Sequence, residues 1–115
     1  MSNFDLVTDY GMDALSAVLH ETAVEKGFWD VPVDINFILS KIALIHSEGS
    51  ELLEALRKEK GEKEIVYEIV DILIRTLDLY AALRNEGIVS ISLDDAFSEK
   101  AAINSNRPRM HGVLA

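Results

Sequence analysis

Two stretches, Ile35 to Glu59 and Lys63 to Glu86, carry apolar side chains at helical spacing and are separated only by Lys60-Gly61-Glu62. Ile35, Ile38, Ile42, Ile45, Leu52 and Leu56 form the stripe on the first. Val66, Ile69, Val70, Leu73, Leu77 and Tyr80 form it on the second. Helices this long, joined by so short a break, have to fold back on one another as an antiparallel pair.

The rest of the chain fits around that hairpin. A first helix is expected from about Gly11 to Lys26, with Asp13 in its first turn and Gly27 placed as a C-terminal cap. Phe28-Trp29-Asp30-Val31-Pro32 is then a loop, and Asp34 an N-cap for the second helix. Gly87 ends the third helix, and Val89-Ser90-Ile91 reads as an extended connector. Ser92-x-x-Asp95 is an acid-ended capping box for a short fourth helix through about Ile103, before Asn104 to Arg109 and Pro108 stop it. Period-2 alternation is missing outside residues 88 to 93. The expectation is an all-α, four-helix bundle-like single domain over 1–115, with its core at about 11–104 and a basic tail at 105–115.

Composition narrows the function classes. The 115 residues include 20 acids, 11 Lys and Arg and no cysteine, for a net charge of -9. Without cysteine there is no disulfide framework and no thiolate metal site. No apolar run approaches the roughly 20 residues that span a bilayer, and Met1 to Asp5 lacks the features of a signal peptide, so a cytoplasmic address is expected. The negative charge opposes binding to nucleic acid polymers or anionic membranes. That charge is unevenly spread: residues 1–99 hold all 20 acids and 8 bases, for -12, and residues 100–115 hold Lys100, Arg107 and Arg109 without an acid, for +3.

Chemistry concentrates on the hairpin. Glu48 and Glu51 are three apart on the second helix, and Glu68 and Asp71 repeat that spacing on the third. Facing residues of an antiparallel hairpin have a constant sum of positions, and Glu48 with Asp71, like Glu51 with Glu68, sum to 119. All four should sit at one level, about 15 Å from the turn. On a helical wheel centred on Ile38, Glu48 falls about 80° away, within the apolar half, and Glu51 about 140° away, at its edge. A carboxylate among apolar neighbours is costly unless paired, protonated or bound to a metal. Glu64, Glu68, Asp71, Arg75 and Asp78 share a stripe that a plain solvated face, with an Asp71–Arg75 ion pair one turn apart, would also produce. Hard oxygen donors without ligand-spaced His or Cys suit Mg²⁺ or Mn²⁺, which points to a phosphorylated substrate.

Glu48-x-x-Glu51-Leu52-x-Glu54-Ala55 and Glu68-x-x-Asp71-Ile72-Leu73 resemble the MazG-like, all-α nucleoside triphosphate pyrophosphohydrolases, a superfamily that includes dimeric dUTPases and dCTP pyrophosphatases. Lys100-x-x-x-Asn104-x-x-Arg107-Pro108 and His111-Gly112 resemble the C-terminal tail of that family. The chain departs from many members in carrying His46-Ser47 ahead of Glu48. The resemblance implies hydrolysis of a (d)NTP to the monophosphate and pyrophosphate, as nucleotide-pool house-cleaning, with Mg²⁺ held by Glu48, Glu51, Glu68 and Asp71. It also implies a homodimer or homotetramer. Glu48, in the driest setting, is the expected general base.

Around these acids, Lys41 lies two turns before Glu48 on the same stripe, placed for a phosphate or for an ion pair. Lys100 and Asn104 lie one turn apart, with Arg107 just beyond, placed for phosphates or as a solvated helix end. Trp29, with His20, is a candidate for stacking on a base, against the plainer role of a core anchor. His46 and His111 are expected to be structural or solvated. The third helix is apolar over about 240°, more than one neighbour covers, which itself suggests an oligomer. Two other readings stand beside the nucleotide hydrolase: a non-catalytic helical oligomerisation module, and a pyrophosphohydrolase of another substrate such as a phosphoribosyl nucleotide.

Overall fold

The computed structural model describes residues 2–109 and contains four α-helices: α1 Asn3–Glu25, α2 Ile35–Arg57, α3 Glu62–Asn85 and α4 Leu93–Ser105. No strand occurs among the described residues, and Val89–Ile91 is an irregular connector, tied to α3 by the Tyr80 hydroxyl donating to the Ile91 carbonyl at 2.7 Å. Among the described residues, no helix is long and apolar enough to cross a membrane. His111 and Gly112 lie outside the described residues.

Local chemistry sets the boundaries. Asp34 accepts a hydrogen bond from the Phe37 N–H at 2.8 Å, and Ser92 Oγ accepts one from the Asp95 N–H at 3.4 Å, so both expected N-caps form. The first three helices end in one motif, in which a residue in the left-handed region lets the next N–H bond back five residues. The bonds run from Phe28 to Ala23, Lys60 to Ala55 and Ile88 to Leu83. The left-handed residues are Gly27, Glu59 and Gly87, so at the hairpin turn a non-glycine residue takes the left-handed position.

The start of α1 differs from expectation. Helical backbone begins at Asn3, capped by Ser2, and Gly11 is a kink within it rather than a beginning. With φ +86° and ψ -174°, Gly11 interrupts the hydrogen-bond ladder and creates a second helix start at Met12. The freed N–H groups of Met12 and Asp13 are accepted by Asp94 Oδ1 and Oδ2 at 2.8 and 3.1 Å. Asp13 reciprocates at the start of α4, accepting from Ser92 Oγ (2.6 Å) and from the backbone N–H groups of Leu93 (2.8 Å) and Asp94 (3.3 Å). Each helix start is thus capped by an acid of the other.

The α2–α3 hairpin packs as expected, α1 lies along α3, and α4 rests chiefly on α1. Trp29, Ile38, Ala55, Ala81 and Ala82 form the buried apolar core. Much of the anticipated stripe faces outward instead: Ile35, Ile42, Leu56, Val66, Ile69, Val70 and Leu73 are all exposed. α2 packs mainly against α3, and α3 against α1 and α2. The Cα radius of gyration, 16.1 Å, exceeds the roughly 13 Å of a closely packed domain of this length.

Candidate functional site

Glu48 is reached from α2 and Glu68 and Asp71 from α3, and one carboxylate oxygen of each lies within 4.8 Å of the others. The antiparallel register brings these acids to one level, as their positions require. Glu48 is 8% exposed, as its place in the apolar half of the wheel demands. Glu51 stands one turn on, at the solvent edge. Its carboxyl is pushed up from the ordinary glutamate value by the adjoining Glu48 carboxylate, with which it could share a hydrogen only when protonated, and by the negative charges of Glu48 and Glu68.

Two oxygens in this cluster, Glu48 Oε2 and Glu68 Oε2, are buried and have no hydrogen-bond partner. A buried acceptor left unmatched costs about 1–3 kcal/mol, more when charged. The donor set, all carboxylate oxygens on two rigid helices, fits a hard divalent cation such as Mg²⁺ or Mn²⁺, which would satisfy both oxygens and offset the crowded charge.

The other Glu48 oxygen is held. Arg75 Nε donates to Glu48 Oε1 at 2.7 Å, across the helix pair. The Asp71–Arg75 ion pair that the one-turn spacing offers does not form, because Glu48 is nearer and drier. Sequence reasoning missed this pairing, since spacing within one helix carries no information about a partner on another.

A cavity of about 350 Å³ opens beside the cluster between α1, α2 and α3. Glu48, Asp71, Arg75, Lys41 and Asp78 supply its polar wall, and Leu19, Ala23, Phe28 and Ile74 its apolar one. That volume is within the range of small-ligand sites. A larger groove of about 530 Å³, between α1 and the end of α3, has none of the clustered acids.

Among the described residues, Lys41 forms no ion pair. Its Nζ donates to the Phe28 carbonyl at 2.9 Å and lies 4.5 Å from the Trp29 ring centroid and 4.9 Å from that of Phe37. Burial pushes its pKa down, countered by Asp78 and reinforced by Arg75. Trp29 is a buried anchor whose Nε1 donates to both Asp78 oxygens at 3.1 Å. His20 Nδ1 lies 2.7 Å from Asp78 Oδ1, and the two aromatic rings meet edge to face at 5.1 Å. Asp78 therefore ties His20 and Trp29 to α3. The acidic stripe on α3 contained it, but only the fold reveals that it faces His20 and Trp29.

Lys100, Asn104 and Arg107 are exposed, on α4 or just past it, and none lines the cavity beside the carboxylates. His46 is exposed. Compared with protein-family models, curated proteins and solved structures, the chain matches none of them, so the functional reading rests on the residues and their geometry.

Proposed function

We propose that the protein is a Mg²⁺-dependent nucleoside triphosphate pyrophosphohydrolase of the MazG-like kind that its motifs resemble, converting a (d)NTP to the monophosphate and pyrophosphate. The observation that carries this reading is the pair of dry, unpartnered oxygens on Glu48 and Glu68, converging with Asp71 beside a cavity that Glu48 and Asp71 line together with Lys41 and Arg75. Glu48, Glu51, Glu68 and Asp71 would hold the metal, with Mn²⁺ a substitute. When bound, the metal supplies charge neutralisation between carboxylates and phosphates and polarises the phosphoryl group.

The chain's own groups supply the rest. A water adds to phosphorus as the anhydride bond breaks and pyrophosphate leaves, and its proton passes to a cluster carboxylate, Glu48 being the expected base. Lys41 lines the same cavity as Glu48 and Asp71, where it would meet a phosphate. Phe28 borders the cavity, and Trp29 and His20 reach it only through Asp78, to which both are bonded.

Oligomerisation belongs to the same proposal. The single chain exposes 8441 Å², whereas a compact monomer of 12.8 kDa exposes about 6,300 Å². A homodimer or homotetramer would cover the apolar faces of α2 and α3 and could bring Lys100, Asn104 and Arg107 to a neighbouring subunit's carboxylates. The exposed apolar faces alone would equally serve a non-catalytic oligomerisation module. Incubation with each ribo- and deoxyribonucleoside triphosphate and Mg²⁺, following pyrophosphate and monophosphate, separates the two readings. At least one nucleotide should be turned over, and Glu51→Gln should slow it by about 100-fold or more. Turnover of none, or a fully active Glu51→Gln, rejects the hydrolase.

A further inference from the structure

An arginine that merely neutralises a carboxylate normally takes both of its oxygens through two parallel N–H donors. Arg75 does not. It meets Glu48 through Nε alone, at Oε1, and leaves Oε2 buried without a partner. The Arg75 side chain is 39% exposed and that of Glu48 10%, so the anchoring bond comes from the rim and the free oxygen is on the dry side. The terminal torsion of a glutamate is broad and roughly two-fold, so an unheld carboxylate in this place would turn freely between orientations.

We infer that Arg75 is a positioning residue: by holding Oε1 it fixes the rotation of the Glu48 carboxylate and presents Oε2 to a divalent cation shared with Glu68 and Asp71. This rests on reading the carboxylate cluster as a cation site. Partners that orient metal ligands act in this way, and losing one typically costs 10–100-fold in metal affinity. Because Arg75 is spent on Glu48, Asp71 on the same helix keeps its oxygens for the cluster.

Charge alone would act in the opposite direction. A guanidinium beside a cation site repels the cation, so an arginine that served only as a counter-charge would weaken Mg²⁺ binding, and its removal would strengthen it. The bonding atom makes the two roles separable. The Gln amide nitrogen stands the same number of bonds from Cα as Arg Nε, so Arg75→Gln keeps the donor and discards the charge. Arg75→Met keeps the stem and discards both.

The experiment is calorimetric titration of Mg²⁺ into the full chain, stripped with EDTA and free of nucleotide, for wild type and both variants, with circular dichroism to verify helicity. Arg75→Gln should bind Mg²⁺ at least as tightly as wild type, and Arg75→Met about tenfold more weakly. If Arg75→Met binds as tightly as wild type or tighter, the positioning role is overturned while the cation site stands. A tenfold loss in Arg75→Gln overturns it as well, and does so even where Arg75→Met fails to fold. Wild-type protein that binds no Mg²⁺ overturns both the inference and the site on which it rests.

Discussion

Asp13 and Asp94, where α1 meets α4, and Glu48, Glu68 and Asp71, where α2 meets α3, are both groups of carboxylates gathered across helices. At the first, all four oxygens have donors: backbone N–H groups at two helix starts, the Ser92 hydroxyl, and Arg84 Nη1 at 3.2 Å. At the second, two buried oxygens have none. Helix starts are natural anion acceptors, because their N–H groups point outward unpaired. The middle of a helix offers no such donors, so acids gathered there need a partner from outside the backbone. Acid clustering therefore says little by itself, and the unmet hydrogen-bonding capacity separates a clasp from a site.

The contrast can be broken by substitution. Gly11→Ala should cost about 3 kcal/mol, because its backbone conformation is one that essentially only glycine adopts and a Cβ would lie 2.7 Å from Asp94 Oδ2. Urea denaturation should show that loss equally with Mg²⁺ and with EDTA, since the clasp needs no metal. Glu68→Gln should behave in the opposite way. Its amide can donate to a neighbouring carboxylate, so stability in EDTA should rise by about 1 kcal/mol, while the stabilisation by Mg²⁺ expected of wild type should shrink. Destabilisation in EDTA would mean that the cluster is already satisfied.

The smallest effect is in acid. Burial would raise the Asp13 carboxyl, but hydrogen bonds with Ser92 and Asp94 and from the Leu93 and Asp94 backbone hold it well below the usual carboxylate range. Its folded pKa is below its unfolded value, so its contribution is complete above the unfolded pKa and is lost as pH falls below about 4 towards the folded value. Denaturation midpoints measured down the acid limb should fall less steeply for Asp13→Asn than for wild type.

Much of this was readable from the chain. The short break at Lys60-Gly61-Glu62 gave the hairpin, the spacing of the acids brought Glu48, Glu68 and Asp71 together, with Glu51 outside that group, and the wheel position of Glu48 gave its burial. Asp34 and Ser92 are caps because their side chains act within three residues. What escaped was non-local. The start at Met12 depends on Asp94, 82 residues away, and the true partner of Arg75 is 27 residues away rather than one turn. The apolar stripes of α2 and α3 were legible as apolar, but whether a stripe is covered by its own chain depends on how many helices surround it. That property belongs to the assembly.

Trp29 is the chain's only tryptophan, and it is 9% exposed with the Lys41 ammonium over its ring and Asp78 on its indole nitrogen. Both of those neighbours also line the cavity beside the carboxylates. The protein thus carries its own optical gauge. A ligand that draws Lys41 towards a phosphate changes the field across the indole, and the emission of a single native fluorophore then reports occupancy in unlabelled protein, without waiting for turnover.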